Sequence, residues 1–581
     1  MSRPRNITQQ VLRMLWGLAL WFAPVIVFGQ ANLPPSVMVD AGEVEKPCDG
    51  YMPEWKKAQV IDEVKMQESL RCMPDSPQSV AAFVKGTNNI SMDTLMDTYL
   101  ATDAVIKKDD VDGDGDPDHI IIKLEVVELN GHSPDYAGPV AEFDIAPGIK
   151  PGMWVFAPKT RGMSTESFVS NRANPMLRAP SPAIRVEQGD RVWIQLENTH
   201  YFPHTIHLHG VDHAFVDSNG EGNDGVPQTS EKVVMPGESR TYEITPRQSG
   251  TMVYHCHVQT HTHLAMGLVG MFIVEENRPN NWLQTMNVGG GKVRHPSVAV
   301  SEDYGQEYDL HYHALDAELH NIVKQFNDPR MIAKKMNRIY DMTDSTEDYY
   351  TLNGRSFPFT LRESLITVEP NENVKLRMFN SSGEVLAVHT HGHKATITHY
   401  DGIEHNPSAQ ITRDVYDLAP AQRIDLALNT KDDGLHSYGE GIWIFHDHRE
   451  KGITTNGMNP GGNVSAVVYK SYLNEMGMPK AQGVDLSPYF SKAFYERKLP
   501  VWQGYDEANS LGEVEDNGGF VAEGNEAASV SNSPSKSNSF LNFITGLILG
   551  TIIYFMILNR ELLLEKAARL ISLIKSRRAG E

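Results

Sequence analysis

Positive charge is what this chain has too little of. Its 581 residues carry 52 Lys and Arg against 74 Asp and Glu, a formal net charge of −22. Binding to a phosphate backbone needs a basic face, so no nucleic-acid partner is expected. Attraction of cations, or plain solubility, suits the balance better. Cysteine is also scarce, with three in the chain. Cys48 and Cys72 lie close enough in sequence to form a disulfide in an oxidising compartment. Cys256 is then left over, and an unpaired thiol in an exported chain needs a reason.

Long apolar runs are confined to the two ends. Residues 1–29 hold Arg3, Arg5 and Arg13, an apolar run from Leu15 to Phe28, and a small residue before Gln30, which reads as a signal peptide. Leu541 to Leu558 is uncharged and long enough to cross a bilayer, so residues 540–558 are expected to form a transmembrane helix. Arg560, Lys566, Arg569, Lys575, Arg577 and Arg578 follow it and place the tail, 559–581, in the cytoplasm. The remainder is then an ectodomain in the periplasm or extracellular space, tethered to the cell membrane.

That ectodomain is too long for a single core. Residues 30–139 read as an accessory region with helical patterns near 54–70 and 78–100. They end in Asp110, Asp112, Asp114, Asp116 and Asp118, interleaved with glycine. Alternate carboxylates of this kind supply oxygen ligands for calcium, although the glutamate that closes an EF-hand is missing, Ile121 standing in its place. Residues 140–277 and 346–475 are each built of short Val, Ile, Thr and aromatic runs broken by Gly, Pro and Asn. Ile184 to Ile194 and Leu365 to Leu376 precede a His-x-His pair at similar distances, the mark of a repeated β-sandwich unit. An all-β ectodomain of two domains follows. Residues 278–345 are a polar, partly helical connection, and 476–539 an acidic, Ser/Asn-rich tether.

There are 23 histidines, several packed into short motifs. The first unit holds His204-Thr-Ile-His207-Leu-His209 and His255-Cys256-His257, followed by His261 and Met266. The second holds His389-Thr-His391 and His446-Asp447-His448. Side chains two apart on a strand share a face, and odd offsets oppose them. His207 with His209, and His255 with His257, therefore face one way, and Cys256 faces the other. His204 also falls on the Cys256 side, within reach of His261 and Met266. Two imidazoles, a thiolate and a thioether are the donors of an electron-transfer blue copper. The four His-x-His pairs supply eight further imidazoles, enough to hold three coppers with positions open for dioxygen.

The spacing H-x-x-H-x-H-G with H-C-H-x-x-x-H-x-x-x-x-M resembles that of the multicopper oxidases, laccases among them, over roughly residues 140–472. The resemblance implies cupredoxin domains, that is, Greek-key β-sandwiches, and about four coppers per chain. His204, Cys256, His261 and Met266 would hold the type 1 copper, and His207 and His389 the type 2 copper. His209, His255, His257, His391, His446 and His448 would hold the type 3 pair. The implied reaction couples oxidation of a phenol, a metal ion or an electron-carrier protein to reduction of O2 to water, with Cys256, His255 and His257 as the electron route. In the second unit the blue-copper positions become Leu386, Asp447, Gly452 and Gly457, so it carries no blue copper. Two-domain members of the family are homotrimers with clusters between subunits, which the resemblance extends to this chain. A copper nitrite reductase and a non-catalytic copper-handling protein are the alternatives; the former lacks the histidine after its cysteine. His311, His313 and His320 could line a substrate site, bind an extra metal or serve as hydrogen-bonding residues.

Overall fold

The structure is a computed structural model. It describes residues 101–131, 141–160, 177–293 and 304–499 with isolated omissions, together with short strands between residues 59 and 83. The signal peptide, Cys48, Cys72, most of the tether and the expected transmembrane helix lie outside the described residues. Among the described residues no helix is long and apolar enough to cross a membrane.

The first sandwich has two sheets. One runs in the order His207–His209, Gly250–His255, Val269–Glu275, Ala183–Glu187, Met286–Val288, Gln78–Val80. The other runs Ser239–Ile244, Arg191–Glu197, His119–Leu129, Val105–Lys108, with Met153–Pro158 also paired to His119–Leu129. Alternation makes these strands two-faced: Val192, Ile194 and Leu196 are buried while Arg191 and Trp193 face out. Ile120, Ile122, Leu124 and Val126 meet Tyr254, Phe272 and Val274 in the core between the sheets.

Several boundaries differ from expectation. Strands Val105–Lys108 and His119–Leu129 belong to the first sandwich, so the aspartate loop is their hairpin turn and not part of a separate accessory region. Where helices were expected near 54–70 and 78–100, the described pieces are short strands, and Gln78–Val80 joins the first sandwich. Segment 278–345 is no mere connection. Gln306–Leu315 is a strand of the second sandwich, and helices Ala317–Gln325 and Pro329–Arg338 turn back to seal the first core with Leu319, Val323, Ile332 and Met336. Asp316 and Asp328 cap the two helices. The tether begins later than expected, because Met478, Phe490, Phe494 and Tyr495 are buried.

The second sandwich repeats the plan. One sheet runs Gly291–Lys292, Gln306–Leu315, Asn373–Asn380, Arg423–Asn429, Ala395–Tyr400, Ile403–Glu404; the other runs Ile366–Val368, Ser465–Tyr469, Ile442–Asp447, Leu386–Thr390, Val415–Leu418. The repeat extends to register: His207 pairs with His255 in the first domain, and His389 with His446 in the second.

A buried ionic network joins the two sandwiches. Arg185 of the first grips Asp309 of the second through two 2.7 Å bonds and reaches Glu307 at 3.0 Å. Arg377 of the second reaches Glu275 of the first at 3.0 Å and Asp425 at 2.9 Å, and also binds Glu307. Thr251 of the first donates to Asp425 at 2.6 Å. Burial would raise Glu275, but the Arg377 and Arg185 charges outweigh it and hold this carboxyl below its ordinary range. Backbones also touch: a Cβ at Gly250 (φ 140) would sit 2.2 Å from the Gly402 carbonyl oxygen. Removing one partner of such a network strands charge in the interior. Arg377→Ala is expected to cost about 3–5 kcal/mol, measured by urea denaturation of the metal-free protein.

Candidate metal centres

The thiol of Cys256 is fully buried, and two imidazole nitrogens flank its sulfur: His204 Nδ1 at 3.5 Å and His263 Nδ1 at 3.5 Å. Donors about 2.0–2.3 Å from a shared ion stand about 3.5–3.7 Å apart at near-trigonal angles. The set therefore fits a trigonal soft-metal site. Burial pushes the thiol up to about 12, so a thiolate forms there only against a metal. Met266 is fully buried in the same core cluster.

The second histidine is a correction. His263, not His261, lies against Cys256. The choice of His261 follows the H-C-H-x-x-x-H spacing of the family pattern, but here Gln259 is left-handed (φ 44) and Thr260–His263 forms one helical turn. At about 100° per residue, positions 261 and 263 point nearly opposite ways. His263 is 2% exposed; His261 faces out and lines a cavity of about 300 Å³ beside His209 and His255.

On the other face of the Cys256 strand lie His207, His209, His255 and His257. His207 Nδ1–H donates to the Asp224 carbonyl at 2.6 Å, and His255 Nδ1–H to the Cys256 carbonyl at 2.9 Å. These bonds leave Nε2 as the lone-pair nitrogen, ready to bind metal. His255 Nε2 lies 3.0 Å from His209 Nε2. The second domain copies the arrangement. His389 Nδ1–H donates to the Asp414 carbonyl at 2.8 Å and His446 Nδ1–H to the Asp447 carbonyl at 2.9 Å, with His446 Nε2 3.2 Å from His391 Nε2. Burial, reinforced by neighbouring imidazoles, lowers His255 to about 3 and His209 to about 4, which keeps them neutral and able to bind metal.

The ring contacts among these eight histidines stay within each group of four. His391 and His448 are exposed. Each domain thus presents its own group of four imidazoles. At the second domain's thiolate position, Asp447 is fully buried and paired with Arg449 at 2.9 Å, and Leu386 is packed in the core. Neither sulfur nor imidazole occupies that position.

The remaining candidates divide. His311 and His313 both bond to Ser381 Oγ, at 2.7 and 2.8 Å, and His313 Nε2 bonds to the Ala265 carbonyl at 2.9 Å. His320 bonds to the Gly152 carbonyl. His313 and His320 tie their segments to the Cys256 domain, while His311 bonds within the second domain. Asp110, Asp112 and Asp114 bring carboxylate oxygens within 4.8 Å of one another. Asp118 is instead spent on the amides of Val111 and Asp112, and Asp116 on that of Asn281.

A sulfur–imidazole set beside clustered imidazoles on paired β-sandwiches defines a copper-binding β protein. Residues 173–279 and 324–461 each match a family model described as multicopper oxidase. The chain is similar to copper resistance protein A of Escherichia coli, 22% identical over 46% of this chain and 43% of that protein. It is likewise similar to Laccase-18 of Oryza sativa subsp. japonica, 26% identical over 44% of this chain and 37% of the relative. The chain spans less than half the length of these curated relatives. Among solved structures it is similar to the multicopper oxidase mgLAC (22% identity, TM-score 0.44, 65% of this chain and 94% of that one). The blue copper oxidase of Nitrosomonas europaea is comparable (23%, TM-score 0.44, 64% and 94%).

Two outcomes are expected. His263→Ala should abolish the blue absorption of copper-loaded protein while His261→Ala keeps it, read by visible spectroscopy. Burial holds His263 at about 3 and His320 at about 4 in the folded chain, whereas an unfolded histidine titrates near ~6.5. Below ~6.5 the unfolded chain takes up protons that the fold refuses, so stability is full above that pH and lost as pH falls towards about 4. Thermal melts of the metal-free protein across that window should show a falling midpoint.

Proposed function

We propose that the chain is an oxidase that takes electrons singly from a reductant at the Cys256 set and delivers them to dioxygen at the histidine set. The observation that carries this is covalent: Cys256 is bonded directly to His255 and His257, and the His255 ring also bonds back to the Cys256 carbonyl. Copper held by these residues would supply the one-electron steps and the four-electron reduction of O2, with four protons, to two molecules of water. The chain's own part is to bind, orient and exclude. Carbonyls of Asp224, Asp414, Cys256 and Asp447 fix ring tautomers so that Nε2 faces the metal, and the core keeps water from the thiolate.

His204, Cys256, His263 and Met266 are assigned to the type 1 copper. The type 2 copper falls to His207 and His389, and the type 3 pair to His209, His255, His257, His391, His446 and His448. Because each domain presents only half of the imidazole set, the working unit in this reading is a homotrimer whose clusters are completed between subunits, with about four coppers per chain. Calcium is assigned to Asp110, Asp112 and Asp114, and export with a membrane tether to the two terminal apolar runs. The acidic surface favours a metal ion or a membrane-side electron donor as reductant. A histidine on each side of Cys256 supports the oxidase over a nitrite reductase.

Copper-loaded protein should bind about four coppers and consume O2 with reduced metals or phenols; nitrite-dependent NO release without oxygen uptake would overturn the reading. Co-expressing a His207→Ala chain with a His389→Ala chain should restore oxygen uptake that neither has alone, since mixed trimers contain some interfaces with both halves intact.

A further inference from the structure

The loop before the first ligand histidine folds back on it. His204 is fully buried, and its Nε2 lies 2.9 Å from His200 Nδ1. The proton on this bond can be placed. The Phe202 amide also points at His200 Nδ1, at 3.4 Å, and an amide can only donate, so that nitrogen is an acceptor. His204 must then donate to it from Nε2–H, which leaves His204 Nδ1 as a bare lone pair aimed at the Cys256 sulfur. The His200 proton sits on its own Nε2, 3.9 Å from Glu128 Oε2. Glu128 is itself held by the Trp154 indole N–H at 2.8 Å and by the Tyr201 hydroxyl. The Asn198 side chain closes the loop, accepting from the His200 amide at 3.0 Å and donating to the Phe202 and Val234 carbonyls, both at 2.8 Å. Val234 in turn pairs with the His204 backbone.

We propose that His200 is a positioning residue of the blue-copper site, fixing His204 in its metal-binding tautomer and sealing its outer nitrogen from solvent and reductant. This rests on the copper reading above and adds a residue outside the donor set. An imidazole whose outer N–H is held by an acceptor is a stronger electron donor, and partners of this kind commonly change metal affinity by 10–100-fold when removed. The bond therefore favours oxidised copper and lowers the reduction potential. With His204 closed off in this way, a reductant does not approach the site at that ligand.

The test compares the full copper-loaded chain with His200→Phe, which keeps a ring but offers no acceptor, and His200→Asn, whose amide oxygen stands near the place of Nδ1. Readouts are the reduction potential, the copper hyperfine splitting in electron paramagnetic resonance, and copper retention against a chelator. His200→Phe should raise the potential and weaken retention about 10-fold, and His200→Asn should recover most of both. An unchanged potential and retention in a folded His200→Phe overturns the assignment. A measurement on the parent needs no variant: after transfer to D2O, the outer N–H proton of a copper-bound imidazole should exchange slowly by electron–nuclear double resonance, and rapid exchange at both rings overturns it. A parent with no blue band would instead sink the copper reading itself.

Discussion

Everything chemical in this molecule depends on one strand whose side chains alternate. Along Gly250–His255 and into Cys256, Met252, Tyr254 and Cys256 point into the first core, while Val253 points towards the second domain and His255 joins the histidine set. The alternation holds a thiol and an imidazole cluster a single backbone apart, on opposite faces. The faces also differ in environment. The sulfur side is dry and aromatic, which suits a soft metal and a guarded ligand. The imidazole side opens toward the surface of the domain.

The buried network of Arg185, Arg377 and their carboxylates gives that arrangement its frame. It joins the sandwiches on the side where Val253, Met271 and Phe379 pack together. Guanidinium forks suit this work because they satisfy several carboxylate oxygens at fixed angles. The connecting segment adds a second tie. His313 on the second sandwich's strand holds the Ala265 carbonyl in the loop after Cys256, and His320 on the following helix holds Gly152. Both histidines, candidate ligands by residue type, serve here as hydrogen-bonding ties.

Much of the candidate site was legible because it is written in strand periodicity. Both His-x-His pairs of each unit, the lone cysteine and the missing blue-copper residues at Leu386 and Asp447 could be read without coordinates. His261 fits the family spacing, but that spacing does not announce that left-handed Gln259 starts a helical turn which brings His263 to the sulfur instead. His200 carried no signal, since its role comes from a loop folding back in space. The same limit applies to domain edges: strands Val105–Lys108 and His119–Leu129 looked peripheral in sequence yet pair with Arg191–Glu197 and its neighbours.

The sequence by itself determined where the histidines and cysteine cluster and the faces on which the paired histidines stand, because alternation is a property of the backbone that any extended strand must obey. Only the tertiary structure decided which of two nearby histidines meets Cys256, which histidines tie segments together, and that each domain gathers four imidazoles. Those outcomes turn on how distant segments pack and on where a single residue reverses the chain, and neither is encoded in local spacing.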